Sequence, residues 1–254
     1  MKIFIDTANL REIKEACSWG IVDGLTTNPT LIRKAVQAST GPGFDIARHI
    51  EEICRIVPGP VSLEVIGLDT ETMVSEARKL HHRFNPLKDN VVIKIPINTN
   101  DGTGDHDNFR GLVAIRRLAD LGIPVNATLI MTAEQALLAA KAGARYVSPF
   151  MGRIDDFRKP EQDAGSAQET LPTGSEVVRQ IATIFANYGL STEIIAASIR
   201  HVGHVRAAAL AGAGIATIPF AVLNEMSRHA KTEDGIRRFC ADVIPEYSGL
   251  LSLL

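Results

Sequence analysis

Residues 124–150 read PVNATLIMTAEQALLAAKAGARYVSPF. Two short apolar, β-rich runs, PVNATLI and YVSPF, flank a helical segment at 132–143, where Thr132 can cap the N-terminus and Gly143 can close the C-terminus. The order is strand, helix, strand, and it recurs in both directions along the chain. KIFID, GLTT, VSLEV and VVIKI precede this stretch, and IIAAS and GIATIPF follow it, which makes eight strands separated by longer amphipathic segments. Parallel strands covered by helices read as near-continuous apolar runs, and eight such units in 254 residues fit a closed (β/α)8 barrel. An open doubly wound sheet is the alternative. No composition shift or Pro/Gly/Ser linker divides the chain, so the expectation is a single (β/α)8 TIM barrel over residues 1–254, with an additional C-terminal helix at about 232–244.

Composition narrows the function classes. The chain is 45% hydrophobic and 22% charged, enough to bury one large core, and reads as an ordinary soluble globular protein. Twenty-seven basic against 29 acidic residues leave a formal charge of −2 with no basic cluster to track a phosphodiester backbone, which disfavours nucleic acid as a partner. Cys17, Cys54 and Cys240 are odd in number and far apart, so neither a disulfide framework nor a zinc site is expected, and a reducing cytoplasm fits. The N-terminal MKIFIDTANL has no apolar signal region, and no apolar run approaches the ~20 residues that span a bilayer. Two segments exceed what a barrel needs, 98–109 after the fourth strand and 157–174 after the sixth. Both follow strands and so border the face where barrel enzymes keep their sites, or are simply surface insertions.

The residues that carry chemistry are the polar ones inside the strands, because a barrel interior is expected to be Val, Ile, Leu and Ala. Asp6 ends the first strand, Thr26 and Asn28 the second, and Glu64 lies in the third. Lys94 interrupts VVIKI. Asn126 and Thr128 lie in the fifth strand, Ser148 in the sixth with Arg153 just after it, and Ser198 and Arg200 end the seventh. Desolvation disfavours an ammonium, and the neutral amine that results is a nucleophile. A lone strand lysine is usually half of an ion pair, here with Glu64. In the company of two carboxylates, two amides and the hydroxyls of these strands, Lys94 instead fits attack on the carbonyl of a polyhydroxylated substrate to form a Schiff base. Arg153 and Arg200, at the ends of adjacent strands, fit an anionic substrate tail.

Other signals carry less. GDHDN at 104–108 lacks EF-hand spacing, HExxH is absent, and His201 and His204 share a helical face without a Cys or carboxylate at ligand spacing, so no metal is implied. Neither GxGxxG nor a Walker lysine is present, and Schiff-base chemistry requires no cofactor.

Taken together, FIDTAN, GLTTNPTLI, VVIKIP, NATLI, YVSPFMGRIDD and AASIR resemble the transaldolases of the short, single-barrel type, from residue 1 to about 240. The resemblance implies a class I aldolase-type barrel in which Lys94 forms the Schiff base, Asp6 transfers protons, and Glu64 and Thr128 hold a catalytic water. It places the dihydroxyacetone unit of the substrate on Thr26, Asn28, Asn126 and Ser148. The distal phosphate falls on Arg153 and Arg200, with Ser198 beside the latter. In the related fructose-6-phosphate aldolases a glutamine and a tyrosine typically stand where this chain has Glu64 and Phe150, which favours transfer over simple cleavage. The chain departs from the resemblance in its longer 98–109 loop and in reading HVGHV after Arg200. Both lie near the anion end, which leaves a sulfonated ketose as an alternative substrate. A barrel that only binds sugar phosphates, with Lys94 paired to Glu64, is the alternative outside enzymology. The apolar tail of DGIRRFCADVIPEYSGLLSLL points to a homo-oligomer, and the resemblance implies pentamers or decamers joined through this segment.

Overall fold

In a computed structural model describing residues 1–38, 43–100, 102, 107–158 and 171–251, the strands close into a barrel in sequence order. They are β1 (Lys2–Asp6), β2 (Gly24–Thr26), β3 (Val61–Glu64), β4 (Val91–Pro96), β5 (Val125–Ile130), β6 (Tyr146–Pro149), β7 (Glu193–Ala196) and β8 (Ile215–Ile218). Every neighbouring pair is parallel, including β8 against β1. The closed barrel replaces the open-sheet alternative, and it leaves no unpaired edge among the described strands.

Successive strand residues point to opposite faces, and this alternation builds two environments. Ile5, Leu25, Leu63 and Ile93 belong to the large core between the sheet and its helices. One residue away in each strand, the side chains face the barrel axis. There Phe4, Val92, Tyr146, Ile195 and Ile215 form a separate apolar plug. Gly24 makes room for it, since a Cβ at that position would come within 2.5 Å of the Phe4 ring. Two residues further along the same strands the axis-facing positions become Asp6, Lys94, Ser148 and Thr217. The lysine therefore does not interrupt the strand pattern; it occupies the next inward position above Val92.

Helices α1 (Leu10–Ser18), α2 (Pro29–Ala38), α3 (Ile46–Ile56), α4 (Thr70–Phe84), α5 (Arg110–Asp120) and α6 (Ala133–Lys141) cover the first part of the barrel. The cap expected at Thr132 is present as a reciprocal capping box with Gln135, and Gly143 takes φ +98°, a conformation open to glycine at little cost. The second half carries α7 (Met151–Arg158), α8 (Gly174–Asn187), α9 (Val202–Leu210) and α10 (Phe220–Glu225). Beyond the barrel, the helix expected at about 232–244 runs instead from Ala230 to Ala241 (α11), and a further helix, α12, covers Pro245–Leu251. Pro245 opens the second helix, where its missing N–H costs nothing, and so separates the two. Of the two long loops, 101 and 103–106, which include most of GDHDN, and 159–170 lie outside the described residues. The base of the first is closed by Asn98 and Asn100, whose side-chain amides both donate to Asn108 Oδ1, at 3.1 and 3.0 Å.

Candidate active site

The inward polar side chains meet because their strands are in register. Asp6 pairs with Thr26, Glu64 with Lys94, and Lys94 with Asn126. Lys94 is only 5% exposed. Its Nζ lies 3.1 Å from Glu64 Oε2 and donates to the Thr27 carbonyl at 3.2 Å. Phe150 borders the same amine, its ring centroid 6.0 Å from Nζ. The Glu64 contact is ionic but not aligned as a hydrogen bond, so Oε2 remains a buried acceptor without a hydrogen-bonding protein donor, as does Thr128 Oγ1.

Opposite the lysine, Asp6 Oδ1 accepts the Thr26 hydroxyl at 2.6 Å. Burial pushes the Asp6 carboxyl above its ordinary value, while the Thr26 hydrogen bond and the Lys94 charge act the other way. On a third side Ser148 donates to Asn126 Oδ1 at 2.8 Å, and the Asn126 amide donates to Ser62 Oγ at 3.2 Å. This chain fixes which way the amide faces.

Arg153, Ser198 and Arg200 stand at the mouth of the same cavity, a space of about 440 Å³ that Asp6, Asn28, Glu64, Lys94, Ser148 and Phe150 also line. Arg153 lies over the ring of Phe150, 5.1 Å from its centroid. Arg200 is half exposed and holds Asp156 Oδ2 at 3.0 Å. The segment that carries it is clamped from α7: Met151 and Gly152 donate their N–H groups to the Ala197 and Ser198 carbonyls at 3.0 and 3.2 Å. A side chain at 152 would drive a Cβ to 2.2 Å from the Ser198 carbonyl, so glycine permits this approach.

Ten of the twelve residues expected at the site line this cavity, Asn126 is joined to it through Ser148, and Thr128 is buried on β5 next in sequence to the lining Leu129, but three of the ten do more local work than anticipated. Thr26 spends its hydroxyl on Asp6. Asn28 uses its side-chain oxygen to accept the Leu31 N–H at 3.0 Å, holding the first turn of α2. Arg200 already has a carboxylate partner. Sequence reasoning missed Ser62, Thr217, Asp156 and His204, as well as the Thr27 carbonyl. It also gave no sign that Leu129 and Ser198, both lining the cavity, have φ of +58°, a strained setting for residues with a Cβ. The first accompanies a break in the β5–β6 register between Ala127 and Ile130.

A sequence model described as Transaldolase/Fructose-6-phosphate aldolase matches residues 3–246, nearly the whole chain. The chain belongs to this family. The transaldolase/fructose-6-phosphate aldolase assignment also agrees with full-length relatives. A protein of Caldicellulosiruptor saccharolyticus named probable transaldolase is 51% identical over 243 residues, covering 95% of this chain and 96% of its own. Probable transaldolases of Hydrogenobaculum sp. and of Bacillus cereus are 50% and 46% identical over 242 residues, each covering 95% of this chain and 96% and 97% of their own. None of the described helices is long and apolar enough to cross a membrane.

Proposed function

We propose that the protein is a transaldolase that moves a dihydroxyacetone unit from a ketose phosphate, such as fructose 6-phosphate or sedoheptulose 7-phosphate, to an aldose phosphate, such as erythrose 4-phosphate or glyceraldehyde 3-phosphate. The observation that carries this reading is the buried Lys94 amine, 3.1 Å from Glu64 and in one cavity with Asp6. Once its proton passes to a neighbouring base, Lys94 Nζ attacks C2 of the ketose, and loss of water leaves an iminium. Asp6 takes the proton of the C4 hydroxyl, the C3–C4 bond breaks into the iminium, and the aldose phosphate leaves. A carboxyl raised by burial suits this step, because it can receive that proton and return it to the incoming aldehyde oxygen.

The three-carbon enamine stays covalently on Lys94 until an acceptor aldehyde arrives, and hydrolysis of the new imine frees the product. Glu64 Oε2 and Thr128 Oγ1, both buried without a hydrogen-bonding protein donor, are suited to hold the water for that last step. Ser148, Asn126 and Asn28 supply hydroxyl and amide partners for the donor's oxygens. Arg153 and Arg200 take the phosphate, the latter exchanging Asp156 for it. Glu64 and Phe150, as against glutamine and tyrosine, support transfer over release. We place the enzyme in the cytoplasm, and we infer a homo-oligomer, a pentamer or decamer, because Ile236, Phe239, Val243, Ile244 and Tyr247 are all more than half exposed on and between α11 and α12.

Borohydride reduction in the presence of fructose 6-phosphate is the test. A permanent mass increase on Lys94 is expected, and a shift of carbon from free dihydroxyacetone to sedoheptulose 7-phosphate when erythrose 4-phosphate is added. An unmodified Lys94 would end the Schiff-base reading. An adduct with dihydroxyacetone released regardless of acceptor would replace transfer by aldol cleavage.

A further inference from the structure

Beside Asp6, two buried hydroxyls stand in series. Thr26 Oγ1 lies 2.6 Å from Asp6 Oδ1 and 2.6 Å from Thr217 Oγ1. The three residues come from β2, β1 and β8. The two threonines are 2% and 3% exposed, so the partners are fixed. We propose that Thr217 is a positioning residue for the proton-transferring Asp6, acting through Thr26 rather than on the substrate; the inference rests on the transaldolase reading for its catalytic consequence alone.

Counting protons fixes the direction of both hydrogen bonds. A threonine hydroxyl has one proton and two lone pairs. Since an ionised Asp6 can only accept, Thr26 must give it its single proton, and the remaining contact at 2.6 Å is satisfied only if Thr217 donates to Thr26. The chain then runs Thr217 to Thr26 to carboxylate, each bond polarising the next and the last assisted by charge. When Asp6 takes a proton it can carry it on its other oxygen and still accept from Thr26. The neutral form therefore depends less on Thr217 than the charged form does. Thr217 accordingly favours the ionised Asp6 and holds its Oδ1 toward β2, so that the substrate meets the carboxyl in one orientation. The charged groups facing this carboxyl are Lys94, which also holds its proton affinity down, and behind it Glu64, paired with Lys94; Arg153 and Arg200 stand further out along the cavity wall.

The test is to titrate Asp6 directly, by carbonyl 13C NMR with the Asp6→Asn spectrum subtracted, beside the pH profile of kcat/KM. Thr217→Val keeps shape and removes the hydroxyl. We expect the Asp6 midpoint and the acid limb of the profile to move up together, with kcat/KM on that limb falling about 2- to 10-fold, the loss of one hydrogen bond. Thr217→Ser should restore both. In a Thr26→Val background, Thr217→Val should add nothing, because the relay is already broken. If Thr217→Val fails to fold, Thr217→Ala replaces it, since Ala introduces no extra bulk. An Asp6 midpoint that stays or moves down, an effect that persists without Thr26, or failure of Ser to restore a folded protein would each overturn the inference. Because the NMR midpoint needs no turnover, it decides this point even if the Lys94 adduct fails to form and the functional reading falls.

Discussion

The floor and the rim of the cavity are built on opposite plans. Floor residues sit on strands, have their neighbours in register, and are close to fully buried: Thr26, Lys94, Asn126, Thr128, Ser148 and Thr217 are each 5% exposed or less. Rim residues sit just past the strands, and Arg200 and its partner Asp156 have 51% and 52% of their side chains exposed. The difference follows from what each has to do. In the proposed reaction, bond breaking at Lys94 depends on groups held in place before the substrate arrives and sheltered from water, which strands in a closed barrel supply. The proposed phosphate capture needs a guanidinium that can release one anion to take another, and a half-solvated pair is weak enough to allow it. The same contrast sets the rank of the expected mutational effects.

The largest falls on the floor. Asp6→Asn should lower kcat by about 10²- to 10⁴-fold, the usual loss of a general acid–base, with little change in KM. It should also stabilise the fold. Asp6 has a raised proton affinity in the folded state, so between its unfolded and folded midpoints the native protein holds more protons than the unfolded chain, and stability falls as pH rises through that window. Above its folded midpoint Asp6 carries this penalty; asparagine does not, and it can still accept the Thr26 hydroxyl. The expected outcome is a higher Tm for the variant at pH 7 and a gap that narrows toward acid pH. A lower Tm at pH 7 would show that the ionised carboxyl is held in place by its partners, and not merely tolerated for its chemistry.

A smaller effect is expected at the rim. Arg200→Ala should raise KM for phosphorylated ketoses about 10-fold, the low end for a charge-assisted hydrogen bond because the site is half solvated and Asp156 competes for it. The KM for the unphosphorylated sugar should barely move. Equal losses on both would detach Arg200 from the anion tail, and comparison with a sulfonated ketose shows which tail the rim prefers.

The floor was also far more legible in the sequence than the rim. A polar residue among Val, Ile and Ala in a short run is conspicuous, and the period of two converts its position into a direction; Asp6, Glu64, Lys94, Asn126, Thr128 and Ser148 all follow from that. Thr217 escaped because threonine is common in strands as a β-branched residue, and nothing in GIATIPF distinguishes a packing methyl from a relaying hydroxyl. The rim arginines could be placed by counting past the strands. The Asp156 partner of Arg200 could not, since it lies 44 residues away on α7 and only the tertiary fold brings it there, and His204, four residues on, gave no local sign that its ring turns back to the Arg200 N–H. The positive φ of Ser198, in the segment clamped from α7, is likewise a product of tertiary packing that no local pattern encodes.

The smallest expected effect lies behind the rim and tests whether that packing matters. His204 Nδ1 accepts the backbone N–H of Arg200 at 3.3 Å, so its proton is on Nε2, which lies 3.2 Å from Asp155 Oδ2; Asp155 Oδ1 in turn accepts the Gly174 N–H at 2.8 Å at the start of α8. The ring thus ties the Arg200 segment to α7 and α8 without itself lining the cavity. Burial, and next the nearby His201, lower its proton affinity, which keeps Nδ1 an acceptor at neutral pH. His204→Ala removes one long hydrogen bond to Arg200 and should raise KM for phosphorylated substrates about 2- to 5-fold, leaving kcat and Lys94 adduct formation unchanged. His204→Asn places an amide oxygen near the Nδ1 position and should recover most of that loss, although it gives up Asp155. Recovery by asparagine would show that the arginine's backbone is what the ring holds. Loss equal to alanine would assign the effect to the Asp155 bridge, and a matching fall in kcat in either variant would mean that rim and floor are mechanically coupled and that the division between them is too sharp.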